Sequence, residues 1–287
     1  MTRFLCTFPG KSGDILWALP TIRALSRRIG APVDLTIAAP FAALAPLIAQ
    51  QPYIASCHAD PYWEVQDTAP MTPRIPPRPP APTADQRTLH LGYRGWPTRP
   101  LPFETLDGFN EARAHDGTSA SITDDELDLG TPWIRLRYPP TVGPELVIAF
   151  TPEHFELKFG LTVLALGALM RRRFGTTYTV LTTPGSRWTQ EASHLGLHAE
   201  DWYGYASWLS HAKVALCCNS GAHVLAVAMG VPVVMMEPNP MRHHAIFYPL
   251  GQDGPQVTLV KGTDGLPTFD ARHVTDALLA ALERTPR

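Results

Sequence analysis

The sequence predicts an α/β protein whose strands are parallel and covered by helices on both faces. Its strand-like runs are mostly short and rich in Val, Leu and Ile, and most of them lack the polar and apolar alternation of a half-exposed strand. Segments with apolar residues at helical spacing separate these runs, and that order indicates parallel βαβ units. The 287 residues, 45% of them hydrophobic, can supply the core of one large domain or of two medium ones.

The predicted elements alternate along the chain. In the first half, the strands Phe4–Phe8 and Val33–Ala38 enclose a helix over Ile15–Ile29, in which Leu16 and Leu19 begin the apolar face. In the second half, the predicted strands are Leu146–Phe150, Tyr178–Thr182, Val214–Cys218, Val233–Met236 and Val257–Val260, and the predicted helices are Leu161–Phe174, Gly221–Met229 and Ala271–Leu282.

A change in composition near Pro139–Pro144 precedes the strand at Leu146, so we expect two domains, residues 1–143 and 144–287. The first carries a proline-rich insertion near residues 70–102. Between Pro70 and Pro82, seven of thirteen residues are proline, which excludes a helix or a central strand there. A passive surface insertion fits this composition, and so does a lid or an acceptor-binding loop.

The charge and the cysteines of the chain indicate which binding partners and which cellular compartment to expect. A net charge of −2 with scattered basic residues argues against a nucleic-acid partner. The cysteines form no CxxC pair, which favours buried thiols in the reducing cytoplasm, and no HExxH motif points to zinc. No signal peptide is expected. Two long stretches carry no formal charge, Leu35 to Ala59 and Val214 to Met236, but prolines and polar residues interrupt both, which argues against a membrane span and leaves contact with a membrane surface open.

Two loops after predicted strands hold the candidate chemistry. The first contains Gly10, Gly13 and Asp14, but Leu5 occupies the place of the first P-loop glycine, and no GxGxxG motif follows. Two glycines still let the backbone approach a ligand, while Asp14 suits either a helix cap or a catalytic base. The second loop begins at Asn219 and leads into a helix start, where backbone N–H groups can bind an anion.

Both loops resemble signatures of glycosyltransferase family 9, the lipopolysaccharide heptosyltransferases. The first is Asp14-Ile-Leu-Trp-Ala-Leu-Pro-Thr-Ile-Arg-Ala-Leu25, and the second is Asn219-Ser-Gly-Ala-His-Val-Leu-Ala-Val-Ala-Met-Gly-Val-Pro-Val233. The resemblance spans both halves but is weak between about residues 50 and 140. It implies the GT-B architecture, two Rossmann-like domains with a ligand cleft between them, an acceptor on the N-terminal side and a nucleotide-sugar on the C-terminal side.

The resemblance also implies an inverting sugar transfer from a nucleotide-sugar, with an ADP-linked donor expected, to a glycan or glycolipid acceptor. Asp14 would accept the proton of the attacking hydroxyl, and no metal or further cofactor is required. Lys158 and the helix-start N–H groups would stabilise the departing diphosphate, and Glu237 would accept bonds from a ribose or pair with Arg242. The donor-binding candidates are Lys158, Asn219, Ser220, Gly221, Ala222, His223 and Glu237.

Two departures from the second signature leave alternatives open. Asn219 replaces the family's Asp, and His223 stands one place early, with Val224 at the expected position. One residue along a helix turns a side chain by about 100°, so His223 is either a donor contact or a structural histidine. A non-catalytic protein that binds nucleotide-sugars or glycans is therefore an alternative, as is another GT-B enzyme such as a nucleotide-sugar epimerase or hydrolase.

Overall fold

A computed structural model of the chain describes residues 3–8, 11–60, 86–91, 111–114, 119–137, 146–151, 168, 171–174, 178–186, 196–218, 220–237, 257–261 and 271–284. The chain divides into two compact units, Met1–Arg137 and Tyr138–Arg287. The predicted domain boundary between residues 143 and 144 and the proline-rich run from Pro70 to Pro82 lie outside the described residues.

A six-stranded sheet organises the first unit. In the order β3-β2-β1-β4-β5-β6, the first four strands are parallel and the last two pair antiparallel. The strands are β1 (Arg3–Phe8), β2 (Val33–Ala38), β3 (Ile54–Asp60), β4 (Gln86–Leu91), β5 (Glu111–Ala114) and β6 (Ser119–Ser121).

The strand order of this sheet reverses beside β1. The chain runs from β1 to β2 and β3 on one side and then crosses to β4 on the other. Ligands of open α/β sheets bind at the carboxyl ends of the strands at such a switch point. The carboxyl end of β1 therefore lies where a ligand is expected.

Helix α1 (Ser12–Ile29) follows β1 and covers the sheet. It confirms the predicted helix and begins at Ser12, and every residue from Asp14 to Ser26 is buried. Gly30 ends it with φ of 68°, a left-handed conformation that glycine adopts without steric cost. A 3-10 turn at Ala39–Leu44, α2 (Ala45–Ile48) and α3 (Asp124–Leu127) complete the described helical segments of this unit.

Four strands of the first unit were not predicted. β3 lies at an edge of the sheet and mixes Ser, His and Asp with apolar residues, so it lacks the continuous apolar run of a central strand. β5 and β6 have only four and three residues, and both pair antiparallel. The expectation of purely parallel strands therefore needs correction for this edge of the sheet.

A second six-stranded sheet, parallel throughout, organises the second unit. Its order is β12-β11-β10-β7-β8-β9, so the switch point lies between β7 and β10. The five predicted strands of this half are confirmed, and the short strand β9 adds to them. The strands are β7 (Leu146–Thr151), β8 (Tyr178–Thr182), β9 (Gly196–His198), β10 (Ala212–Cys218), β11 (Val233–Glu237) and β12 (Val257–Lys261).

Three helices of the second unit are described in full. α5 (Gly221–Met229) has the predicted bounds, and α6 (Ala271–Arg284) extends the predicted helix to Arg284. α4 (Trp202–Leu209) was not predicted, because an N-cap residue, Asp201, is its strongest local signal in the sequence. In the structure, Oδ1 of Asp201 accepts the N–H of Gly204 at 2.6 Å. Of the predicted helix at Leu161–Phe174, residues 168 and 171–174 are described, and they are helical.

The core of the second unit joins the sheet to α6. Apolar side chains of the central strands pack against Val274, Leu278 and Ala281 on one face of that helix. This cluster includes Cys218, so the thiol serves as a small apolar core residue. The strand residues of the cluster are Ile148, Phe150, Val180, Val214, Leu216, Cys218, Val234 and Met236.

All four cysteines are free, as expected from their spacing. Cys6, Cys217 and Cys218 are buried and Cys57 is half-buried. Burial raises the pKa of both Cys6 and Cys57 to about 12, so both thiols are protonated at neutral pH. Among the described helices, none combines the length and the apolar character that a membrane crossing requires.

Candidate functional site

Each unit places a helix start at the switch point of its own sheet. In the first unit, α1 begins after β1, beside the reversal between β1 and β4. In the second unit, α5 begins after β10, beside the reversal between β7 and β10. The two sequence motifs therefore fold into equivalent positions, where backbone N–H groups at a helix start face the ligand region of a doubly wound sheet.

Asp14 lies in the first turn of α1. Lys11 precedes the helix with extended backbone, so Asp14 is the third helical residue and not the N-cap. Its Oδ2 accepts the backbone N–H of Lys11 at 3.1 Å, and the side chain is only 7% exposed. A carboxylate at this point satisfies an N–H group and is stabilised by the positive end of the helix dipole. Gly13, the second helical residue, lies next to it and is partly buried, and it adds no side chain to this turn.

The start of α5 presents backbone N–H groups and no acidic side chain in its first turn. Ser220 is the N-cap, and its hydroxyl donates to the backbone oxygen of Cys218 at 3.2 Å. Gly221 and Ala222 are the first two helical residues, whose N–H groups have no acceptor within a helix. A helix start of this kind favours an anion.

The side chain of His223 caps the first turn of α5. Its ring is completely buried, and its Nδ1 accepts the backbone N–H of Ser220 at 3.1 Å. An imidazole accepts only through an unprotonated nitrogen, so Nδ1 carries no proton in this arrangement. Because the histidine stands one residue earlier than in the family signature, it is the third helical residue, a position from which side chains cap a helix start. Val224, at the next position, is buried.

Threonines end two strands of the second sheet, and sequence reasoning did not identify them. Thr151 ends β7 opposite Cys217 of β10, and its hydroxyl shares a 2.6 Å hydrogen bond with the buried hydroxyl of Tyr205 on α4. Thr182 ends β8, and its hydroxyl shares a 2.9 Å hydrogen bond with Nδ1 of His198 at the end of β9. The available signals were a threonine directly after the predicted strand Leu146–Phe150 and a threonine at the end of the predicted strand Tyr178–Thr182.

The structure describes only some of the other candidate site residues. Gly10, Lys158 and Asn219 lie outside the described residues. Glu237 ends β11 and lies opposite Lys261 of β12 in the sheet register. Ser220, Gly221, Ala222 and His223 are brought together in one helical turn. In the described part of the chain, no group of three His, Cys, Asp or Glu side chains is arranged to hold a metal ion.

Comparisons with known proteins identify the fold. No protein-family model matches the sequence, and no curated protein matches it significantly. Solved structures do match over nearly the whole chain. ADP-heptose lps heptosyltransferase II of E. coli is 14% identical with a TM-score of 0.62, and the match covers 98% of each chain.

Two further structures give the same result. A glycosyl transferase family 9 protein of Veillonella parvula is 12% identical with a TM-score of 0.59, over 98% of this chain and 97% of that one. The E. coli heptosyltransferase WaaC with ADP is 10% identical with a TM-score of 0.61, over 97% and 99%. These matches confirm the predicted resemblance at the level of the fold: the chain has two Rossmann-like units and shares its architecture with glycosyltransferases of the GT-B class.

Proposed function

We propose that the protein is an inverting glycosyltransferase that moves a sugar, heptose or a related one, from an ADP-linked donor to a glycan or glycolipid acceptor. One observation carries this proposal: the helix starts at the two switch points differ in charge. The start of α1 already holds the carboxylate of Asp14, whereas the first turn of α5 has no acidic residue. The diphosphate of a donor is favoured at the second, and a neutral hydroxyl at the first.

The reaction follows from these two environments. Asp14 accepts the proton of an acceptor hydroxyl as its oxygen attacks the anomeric carbon of the donor. The bond from that carbon to the diphosphate oxygen breaks, the nucleoside diphosphate leaves with the electron pair, and the configuration at the carbon inverts. N–H groups of Gly221 and Ala222 stabilise the negative charge that develops on the leaving group. The scheme routes no step through a metal.

Further roles complete the proposal. Lys158 adds a positive charge near the diphosphate, and Asn219 and Glu237 bind the rest of the donor. The cytoplasm is the proposed location, because all four cysteines are free. The fold likeness supports the donor class, since one of the similar solved structures is an ADP-heptose lps heptosyltransferase and another contains ADP.

A second candidate function is binding of a nucleotide-sugar or glycan without turnover. The observation that favours it is that Asp14 and His223 both accept backbone N–H groups at the start of their own helix. Side chains that cap helices have a structural reason to be present, with or without catalysis.

Ligand binding followed by turnover separates the two candidates. Thermal unfolding is measured with ADP, UDP, GDP and CMP, and a nucleotide at 100 times its dissociation constant should add about 2.7 kcal/mol of stability. We expect ADP to give the largest shift. Release of ADP from ADP-heptose is then measured with and without heptose-deficient lipopolysaccharide. Binding without acceptor-dependent release favours the second candidate, and no shift with any nucleotide contradicts both nucleotide-sugar functions.

A further inference from the structure

Pro20 interrupts the hydrogen-bond ladder of α1. A proline has no N–H, and its ring pushes away the carbonyl four residues earlier, here that of Leu16. The helix nevertheless continues to Ile29. The indole Nε1–H of Trp133 donates to the oxygen of Leu16 at 3.1 Å, although the two residues are 117 positions apart in sequence. Trp133 is 1% exposed, so water does not replace this donor readily.

The segment that carries Trp133 contacts α1 on both sides of Pro20. We call residues 127–135 the brace. Trp133 binds the part of the helix before the proline, and Arg23 binds the brace from the part after it. The guanidinium of Arg23, 6% exposed, donates to four brace carbonyls: those of Leu127 at 2.7 Å, Asp128 at 2.6 Å, Thr131 at 3.2 Å and Pro132 at 3.3 Å.

The brace is itself fixed by buried side chains from another part of the unit. The hydroxyl of Tyr53 donates to the backbone oxygen of Trp133. Gln51 donates to the oxygen of Arg135 at 3.2 Å and accepts its N–H at 2.9 Å. The rings of Trp133 and Trp17 lie 5.6 Å apart, centre to centre, which adds an aromatic contact to the hydrogen bond. Tyr53 and Gln51, which lie outside α1, therefore help to set the position of the indole N–H, together with the ring of Trp17 in α1.

We propose that Trp133 is a positioning residue for Asp14. That Trp133 holds the start of α1 in place rests on geometry alone. That this placement matters for catalysis rests on the proposed function. Asp14 belongs to the two helical turns before Pro20, and Leu16 is two residues further along that part. Without the Trp133 donor, the Leu16 carbonyl loses its hydrogen bond, and the brace no longer links the two parts of the helix on either side of Pro20. The turns before Pro20 can then move relative to the turns that Arg23 attaches to the brace.

The test is a double-mutant cycle of Trp133→Phe and Pro20→Ala. Pro20→Ala restores an N–H that reaches the Leu16 oxygen within the helix, so it supplies the bond that Trp133→Phe removes. The first readout is hydrogen exchange of the Lys11 amide, whose N–H is donated to Asp14. Trp133→Phe should speed this exchange, and adding Pro20→Ala should slow it again.

The second readout is ADP release from ADP-heptose with heptose-deficient lipopolysaccharide as acceptor. Trp133→Phe should lower kcat roughly tenfold to a hundredfold, as expected for a misplaced catalytic group, with an unchanged KM for ADP-heptose. The double variant should recover most of the loss. Equal loss of kcat in both backgrounds would overturn the proposal, as would unchanged Lys11 exchange in folded Trp133→Phe.

Three outcomes separate the geometric inference from simple packing and from the proposed function. If Trp133→Phe folds only together with Pro20→Ala, the coupling between the two positions is demonstrated directly. If neither variant folds, the role of Trp133 is packing, and the positioning role is rejected. Rescue of Lys11 protection without any sugar transfer by the wild-type protein would retain the geometric inference while rejecting the enzyme.

Discussion

The Nδ1 atom of His223 accepts the backbone N–H of Ser220 at 3.1 Å. In the other unit, the carboxylate of Asp14 makes the equivalent hydrogen bond with the backbone N–H of Lys11. In both units, the third residue of the helix at the switch point caps its own helix start. The two side chains differ in charge and protonation, so the two helix starts differ in what they attract. Four predictions follow from this arrangement and from the contacts that support it.

Asp14→Asn separates capping from catalysis. The amide oxygen of Asn still accepts the Lys11 N–H, so folding should be nearly normal, but the side chain no longer accepts a proton. We expect sugar transfer to fall at least about a hundredfold, measured as kcat for ADP release, with donor affinity unchanged. Asp14→Ala is the control that also removes the cap, at about 1 kcal/mol of stability. Transfer by Asp14→Asn at the wild-type rate would leave Asp14 with a capping role only.

His223→Gln and His223→Ala distinguish a structural histidine from a donor contact. Gln retains an acceptor at a capping position, whereas Ala leaves the Ser220 N–H without one and opens a cavity. We expect Ala to cost about 1–3 kcal/mol of unfolding free energy for the lost acceptor alone, and Gln clearly less. Urea unfolding measures the difference. A stable His223→Ala protein with weakened ADP affinity would instead place the ring in the donor site.

Arg23→Lys tests the attachment of the brace. A lysine ammonium cannot reproduce the planar fork that reaches four carbonyls, so buried acceptors lose their donor. Burial lowers the pKa of Arg23, although a guanidinium remains charged at neutral pH. We expect a loss of at least about 2 kcal/mol in urea unfolding. Arg28→Lys is the matched control on the same helix, because its pair with Glu126 is exposed, and its cost should be much smaller than that of Arg23→Lys.

Asp128→Asn should make the stability less dependent on acid pH. The hydroxyl of Thr131 and then the guanidinium of Arg27 lower the pKa of Asp128 below its ordinary 3.8. A lowered folded pKa means that this carboxylate stabilises the fold above pH 3.8, and that the contribution is lost as pH falls through the lower folded value.

The substitution preserves the backbone geometry. Asp128 has a left-handed backbone with φ of 52°, which Asn also tolerates, so the main change is the loss of charge. Thermal unfolding between about pH 2 and pH 6 should show a smaller drop for the variant than for the wild type. A parallel drop in both proteins would show that the Asp128 carboxylate contributes nothing to acid sensitivity.

The sequence by itself determined the elements with strong local patterns. Val33, Leu35 and Ile37 mark Val33–Ala38 as a buried strand, and the Ser220 cap with Gly230 beyond the helix gives α5 its predicted bounds. These features depend on neighbouring residues, because hydrophobic period and helix caps act within one or two turns. The same local signals place Asp14 in the first turn of a helix that follows a buried strand.

Only the tertiary structure decided which distant residues complete these elements. β5 exists because it pairs with β4 and β6, not because Glu-Ala-Arg-Ala has a strand pattern. Nothing near Pro20 in the sequence indicates that Trp133 supplies the donor its helix lacks. His223 became a cap because its ring fits inside the first turn of α5. Such contacts depend on geometry that forms after the chain has brought remote segments together, and local periodicity carries no record of it.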